Sequence, residues 1–193
     1  NMPAPQLYDY QYQKGHRIGA RKQYVFWRYY DEETPELYEQ TFHRPYPDQK
    51  ITIKNGDAVF MDLNGDRIID NNDMSYDYGY TDDPEYMIGI NLGFVYKNWE
   101  VSTQWTGAWN VTRMVSDVFR RPFRSASENE YGGLLSYHLD NTWTEENPSQ
   151  SAKYPRAGFV NGEHNYADAT LYEQDSKSVS YTHLRAHETL SDL

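Results

Sequence analysis

Between Tyr86 and Trp109 apolar and polar positions alternate with a period of two, with one interruption. Tyr86, Ile88, Ile90, Leu92, Phe94 and Tyr96 fall on one face, and Met87, Gly89, Asn91, Gly93 and Val95 on the other. After Lys97-Asn98-Trp99 the alternation resumes, with Val101, Thr103, Trp105, Gly107 and Trp109 opposite Glu100, Ser102, Gln104, Thr106 and Ala108. Successive side chains of a strand point to opposite faces, so this pattern predicts an antiparallel hairpin with one apolar face and one small or polar face. Each arm runs about ten residues, the length with which a tilted strand crosses a bilayer. Tyr86 and Tyr96 bracket Ile, Ile, Leu and Phe, an arrangement that suits lipid in the middle and aromatic anchors at the interfaces. A soluble sandwich would alternate too, but aliphatic side chains usually dominate its inner face. Trp105 and Trp109 have the parity of girdle residues, while Asn91, Ser102, Gln104 and Thr106 would line a wet lumen.

The pattern is weaker elsewhere. Leu7 to Gln13 alternates, with Tyr8, Tyr10 and Tyr12 on one face, and predicts a strand that Gly15 and Gly19 then break. Arg21 to Tyr30 reads as another short extended segment. Residues 31 to 56, with Pro35, Pro45 and Pro47, read as an irregular loop carrying at most one helical turn near Pro35 to Gln40. Residues 110 to about 165 are long and polar. A tight turn at one end of a hairpin and loops of dozens of residues at the other is the asymmetry of outer-membrane barrels, with the Lys97 turn toward the periplasm and both long segments outside.

Composition narrows the function classes. Among 193 residues, 18 Lys and Arg stand against 29 Asp and Glu, a net charge of −11, which argues against nucleic acid as a partner. There is no cysteine, so disulfide frameworks and thiolate zinc sites are excluded. No apolar run is long enough for a transmembrane helix, and Asn1-Met2-Pro3-Ala4-Pro5 does not read as a secretory signal, so the chain is expected to start within a longer protein. Aromatics reach 16%, with 19 Tyr and 5 Trp, which suits either carbohydrate-facing surfaces or the girdles of a membrane barrel. Carboxylates are abundant, but no spacing marks an acid/base pair. His16, His43, His138 and His164 are scattered and read as solvated loop residues, so an enzyme is not expected.

One stretch carries a specific chemistry. From Asp62 to Asp73, oxygen side chains fall at loop positions 1, 3, 5, 9 and 12, the spacing by which an EF-hand-like loop wraps a hard cation. Asp62, Asn64, Asp66, Asp70 and Asp73 are candidate calcium ligands, together with Ile68 at position 7 through its carbonyl, its side chain being expected to point into a core. Two positions depart from the pattern. Arg67 stands where a glycine should take a positive φ, at a cost of roughly 1–2 kcal/mol and with a cation set beside the metal. Asp73 replaces the longer Glu at position 12. The plain alternative is an acidic turn on a solvated loop.

Val179-Ser180-Tyr181-Thr182-His183-Leu184-Arg185-Ala186-His187-Glu188-Thr189 resembles one reading frame of a transposase-based sequencing adapter, and Leu190-Ser191-Asp192-Leu193 fits a barcode followed by adapter bases. Residues 179–193 are therefore read as non-native read-through, and the His183, His187 spacing beside Glu188 as accidental.

Four motifs in order carry a resemblance. Lys14-Gly15-His16-Arg17-Ile18-Gly19, Gly56-Asp57 through Asp73, Gly89-Ile90-Asn91 through Val101, and Trp143-Thr144-Glu145-Glu146-Asn147-Pro148 with Tyr154-Pro155-Arg156 resemble successive stretches of the SusC/RagA-type TonB-linked outer-membrane transporters, in the later part of their barrel. The resemblance implies an all-β fold in which residues 1–178 are part of a transmembrane β-barrel. These divide into an acidic extracellular loop over 31–85, a membrane hairpin over 86–109 and a second extracellular loop over 110–165. It implies import of glycan oligosaccharides, peptides or similar nutrients, energised through TonB acting on an N-terminal plug, with a surface SusD-like lipoprotein over the barrel mouth. The partners implied are the rest of the barrel and its plug, the TonB system, the lipoprotein, the nutrient substrate and outer-membrane lipid. The competing reading is a secreted, calcium-stabilised carbohydrate-binding module with Trp and Tyr as sugar platforms, Trp143 being the loop candidate.

Overall fold

The structure, a computed structural model, describes residues 8–97, 99–122, 134–158 and 161–188. The chain is β-rich, with small antiparallel sheets and few helices. It divides into two compact units, Asn1–Gly79 with Met114–Glu173, and Tyr80–Arg113 with Gln174–Leu193.

The first unit is built around an irregular ladder. β1 (Gln23–Tyr24) and β2 (Phe26–Tyr29) run on from one another, and β3 (Ala58–Phe60) pairs with β2 through Phe26↔Phe60, Arg28↔Val59 and Tyr29↔Ala58. α1 (Thr34–Phe42) connects β2 to β3. It is longer than the single turn expected, because Pro35 lies in the first turn, where its missing N–H removes no helical bond. The Asp31 carboxylate accepts from Thr34 Oγ1 at 2.6 Å, and His43, left-handed at φ 54, closes the helix through its N–H to the Glu39 carbonyl at 2.9 Å. Tyr38 is buried from this helix against Trp27, Phe42 and Tyr46.

Ala58, Phe60, Ile69, Tyr154, Tyr166, Ala169 and Tyr172 form the core. Tyrosine does much of the work that aliphatic side chains do elsewhere, and a buried phenol needs a hydrogen-bond partner. Tyr29 donates to the Ala152 carbonyl at 2.9 Å and Tyr172 to the Asn165 carbonyl at 2.5 Å. The tyrosine excess is thus partly a property of a packed interior, which the sequence reading had assigned to surfaces and girdles. The Leu7–Gln13 strand is likewise corrected: Asp9–Gln11 is a 3-10 turn, and Leu7 lies outside the described residues. Its alternation does not place the three tyrosines on one sheet face. Buried Gln11 instead reaches the carbonyls of Asn71 and Asn72 at 3.3 and 3.0 Å, and Tyr10 Oη donates to the Asn72 carbonyl at 2.8 Å.

In the second unit the expected hairpin is present. After the short β4 (Met74–Ser75, paired with β1), β5 (Tyr86–Tyr96) and β6 (Trp99–Trp109) pair in unbroken register from Tyr86↔Trp109 to Tyr96↔Trp99. Lys97 turns the chain at φ 52. Residues directly across an antiparallel pair share a face. One face therefore carries Tyr86/Trp109, Ile88/Gly107, Ile90/Trp105, Leu92/Thr103, Phe94/Val101 and Tyr96/Trp99, and the other Met87/Ala108, Gly89/Thr106, Asn91/Gln104, Gly93/Ser102 and Val95/Glu100. Below the hairpin, Thr112 Oγ1 donates to the Tyr80 carbonyl at 2.8 Å and Asn110 Nδ2 to Glu85 at 2.9 Å, which fixes the two strand ends together.

β7 (Thr112–Met114) pairs with β8 (Glu173–Asp175), and α2 (Asp117–Arg120), α3 (Ser136–Asn141) and α4 (Gly162–Asn165) lie between them in the chain. β9 (Ser178–Glu188) runs antiparallel beside β6 from Ala108↔Ser178 to Trp99↔Glu188, with an irregularity between Ser102 and Gln104. A ladder is made by main-chain groups and accepts almost any extended sequence. The pairing therefore shows that the far edge of β6 takes a partner strand; it carries no information on the origin of residues 179–193, of which 189–193 lie outside the described residues.

Candidate functional site

The acidic loop occupies a defined place in the ladder. Tyr24 pairs with Met74 while Phe26 pairs with Phe60, so two nearby positions on one side face residues far apart in the chain on the other. The loop is the excursion between them. A chain that leaves a ladder must satisfy its main-chain groups in another way, and here two buried carboxylates do so from the two ends of the excursion. Asp62 accepts from the N–H of Gly65 at 2.6 Å and of Arg67 at 3.0 Å. Asp73 accepts from Leu63 at 2.9 Å, Asn64 at 3.4 Å and Asp70 at 2.9 Å. Between them Asn64 Oδ1 takes the Asp66 N–H at 2.8 Å, Asp66 Oδ1 the Ile68 N–H at 2.9 Å, and Asp70 Oδ1 the Asn72 N–H at 2.8 Å.

Burial pushes the Asp73 carboxyl up from its ordinary value, against the pull of the three N–H groups that favour its anion. The field of the loop reaches Tyr10, whose hydroxyl is pushed up to about 12, first by burial and then by the nearby charge of Asp73. Arg67 takes φ 70, the left-handed conformation expected at loop position 6. The expected inward side chain at position 7 is corrected. Ile68 is 41% exposed, and its neighbour Ile69, 5% exposed, joins the core. The cause is a parallel bridge between Asp48 and Ile68, with Asp48 N–H on the Arg67 carbonyl at 2.8 Å and Ile69 N–H on the Asp48 carbonyl at 2.9 Å. Strand-like parity across that bridge turns Ile69 inward and Ile68 out.

The all-oxygen donor set is of the calcium type, and a carboxylate oxygen that accepts one N–H keeps a second lone pair. Among the described residues, however, no three His, Cys, Asp or Glu side chains come together as a group that could hold a metal. Asp70 Oδ2 faces Lys50, whose Nζ is 3.5 Å away.

A second constellation was not assembled by the sequence reading, although three of its parts were noted as separate motifs. Asp57 is fully buried and receives Arg156 Nε at 2.7 Å, Asn161 Nδ2 at 2.7 Å, Asn165 Nδ2 at 2.9 Å and the Lys54 N–H at 2.9 Å. Next to it Gly56, at φ 83, lies flat against the Trp143 ring: a Cβ there would come within 2.1 Å of it. Trp143 is thus a buried packing residue, which corrects its candidacy as a sugar platform. His138 is also buried, its Nε2 on the Phe119 carbonyl at 2.6 Å and its Nδ1 taking the Leu135 N–H at 3.3 Å, so it is no solvated loop histidine. His43 is exposed as expected.

Beside Asp70 and Asn71 an open cavity of about 470 Å³ is walled by Tyr24, Gln49, Lys50, Phe60 and His164. In comparison with known proteins, the chain matches no family model, and no curated protein matches it.

Proposed function

We propose that the chain is part of the barrel of a SusC/RagA-type TonB-dependent outer-membrane transporter, with β5 and β6 as wall and the first unit as extracellular loops. The observation that carries this reading is the in-register hairpin. Ile88, Ile90, Leu92 and Phe94 are exposed in the middle of one face, with Tyr86/Trp109 and Tyr96/Trp99 as aromatic pairs at its two ends. Eleven residues per arm extend about 35 Å, which a strand tilt near 45° reduces to about 25 Å, the height of the apolar band of such barrels. The opposite face, with Asn91/Gln104 and Gly93/Ser102, suits water.

On this reading the rest of the barrel flanks the sheet, energy arrives through the TonB system acting on an N-terminal plug, and a SusD-like lipoprotein meets the loops. Glycan oligosaccharides, peptides or similar nutrients are the cargo. The acidic loop then acts as a structural clip, and calcium, if bound, would tighten it through Asp62, Asn64, Asp66, Asp70, Asp73 and the Ile68 carbonyl. Membrane fractions of cells making the complete protein test the reading. Extraction only by detergent is expected; release by a salt wash would replace it with the secreted carbohydrate-binding module.

A further inference from the structure

Three Asn-Gly pairs occur in the chain, at Asn55-Gly56, Asn64-Gly65 and Asn161-Gly162. Such a pair is chemically labile because the glycine nitrogen, unhindered by a side chain, can close a five-membered ring on the asparagine side-chain carbonyl. The fold treats the three differently. Gly56 is buried, and its N–H is committed to the Tyr30 carbonyl at 2.8 Å. Asn161 is held left-handed at φ 63, with its amide nitrogen fixed on Asp57 at 2.7 Å and on the Thr52 carbonyl at 3.0 Å. Gly65 is exposed and its N–H points at a carboxylate, Asp62 Oδ1, at 2.6 Å. The reacting carbonyl is also prepared, since Asn64 Oδ1 accepts the Asp66 N–H at 2.8 Å; Asn64 Nδ2 bonds to Asp66 Oδ2, on an exposed residue, at 2.8 Å, where the Asn161 amide is tied both to buried Asp57 and to the Thr52 carbonyl.

We propose that Asn64 is a site of self-promoted deamidation in the folded chain, with Asp62 as the base on the Gly65 nitrogen and the Asp66 N–H as the donor to the carbonyl oxygen. The Gly65 nitrogen forms a bond to Asn64 Cγ as its proton passes to Asp62. Charge develops on Oδ1, where the Asp66 N–H already lies. The Cγ–Nδ2 bond then breaks, and the nitrogen leaves as ammonia after taking up a proton from Asp62 by way of solvent. Water opens the resulting succinimide. Cleavage of its bond to Cγ leaves aspartate, and cleavage of its bond to the main-chain carbonyl carbon leaves isoaspartate. The first product puts a full negative charge at the third position of the acidic loop, making it a stronger cation binder. The second lengthens the main chain by one carbon and shifts the Asp66 N–H. Neither outcome depends on the membrane reading.

Peptide mapping by mass spectrometry of the full chain, incubated at neutral pH with chelator, tests this by following the mass gain of amide-to-acid conversion at each asparagine. Asn64 is expected to convert at least about ten-fold faster than Asn55 or Asn161, and about ten- to a hundred-fold faster in the folded chain than in the same chain unfolded in urea. Asp62→Asn should lower the folded rate to the urea rate. A folded rate at Asn64 no greater than its urea rate overturns the proposal, whether or not the Asp62→Asn variant folds. A folded Asp62→Asn variant that still converts at the original rate overturns the role given to Asp62.

Discussion

Arg156 Nε donates to Asp57 Oδ1 at 2.7 Å, joining a loop that precedes the hairpin to one that follows it by 99 positions of separation along the chain. Asp57 is fully buried and Arg156 about a quarter exposed. Removing the guanidinium leaves a buried carboxylate with only amide partners, a change that typically costs about 3 kcal/mol or more. Arg156→Ala should therefore destabilise the first unit by about that amount, and Arg156→Lys should recover little, since a point ammonium cannot reproduce the Nε geometry. Urea unfolding of the chain measures both; a loss below about 1 kcal/mol for Arg156→Ala would show that Asn161, Asn165 and the Lys54 N–H suffice.

Arg67 holds a left-handed conformation that glycine adopts freely. Arg67→Gly should stabilise the loop by about 1 kcal/mol in chelator, net of the added freedom of the unfolded chain. With calcium present, proteolysis within 62–73 should slow, and more in Arg67→Gly than in the parent. Equal cleavage with calcium and with chelator in both chains would leave the acidic loop as a hydrogen-bonded turn only.

Burial lowers the His164 imidazole from its ordinary value near 6.5, against the opposing pull of the Ala58 carbonyl and of Asp57. The folded chain consequently takes up this proton at a lower pH than the unfolded chain. The stability tied to the neutral ring is complete above the unfolded value and is lost as pH falls through the folded one. The urea midpoint should decline as pH drops below about 6.5, and His164→Gln should flatten that part of the curve. An unchanged slope in His164→Gln assigns the titration to other groups.

Leu92 and Asn91 are sequence neighbours on opposite faces of β5. On the proposed barrel reading, Leu92→Arg in the full-length protein should reduce stability in the membrane by about 2–4 kcal/mol, the range for a cation on a lipid face near the midplane, while Asn91→Arg should leave assembly intact. Heat-modifiability on gels and yield in the outer-membrane fraction report the difference. Equal tolerance at both positions would contradict the assignment of the apolar face to lipid.

The hairpin was legible because every position obeys one rule: parity alone gives the face, and the register from Tyr86↔Trp109 to Tyr96↔Trp99 follows from the turn. The first unit was not legible in this way. Its core joins Phe60 to Tyr154, Tyr166 and Tyr172, contacts set by distant pairings that no local periodicity records. Leu7–Gln13 shows the cost of trusting alternation where no second strand is at hand. In the acidic loop the spacing correctly located the chain reversal and the positive φ at Arg67, but not which neighbour faces inward, since that depends on the bridge to Asp48. Gly56, Asp57, Trp143 and Arg156 were all noticed as motif residues. That they meet in one place required the fold.

The order of the two units along the chain has a consequence in time. Ala58, Phe60 and Ile69 are synthesised before the hairpin, and Tyr154, Tyr166 and Tyr172, which complete their core, after it. Until the later half emerges, Ala58, Phe60 and Ile69 have only nearby side chains such as Tyr24 and Phe26 to pack against and stay partly uncovered. Closing so long an interval is entropically slow compared with forming a hairpin joined by a two-residue turn. The strands thus have a head start, and the loop core closes only after both ends of the hairpin have been made.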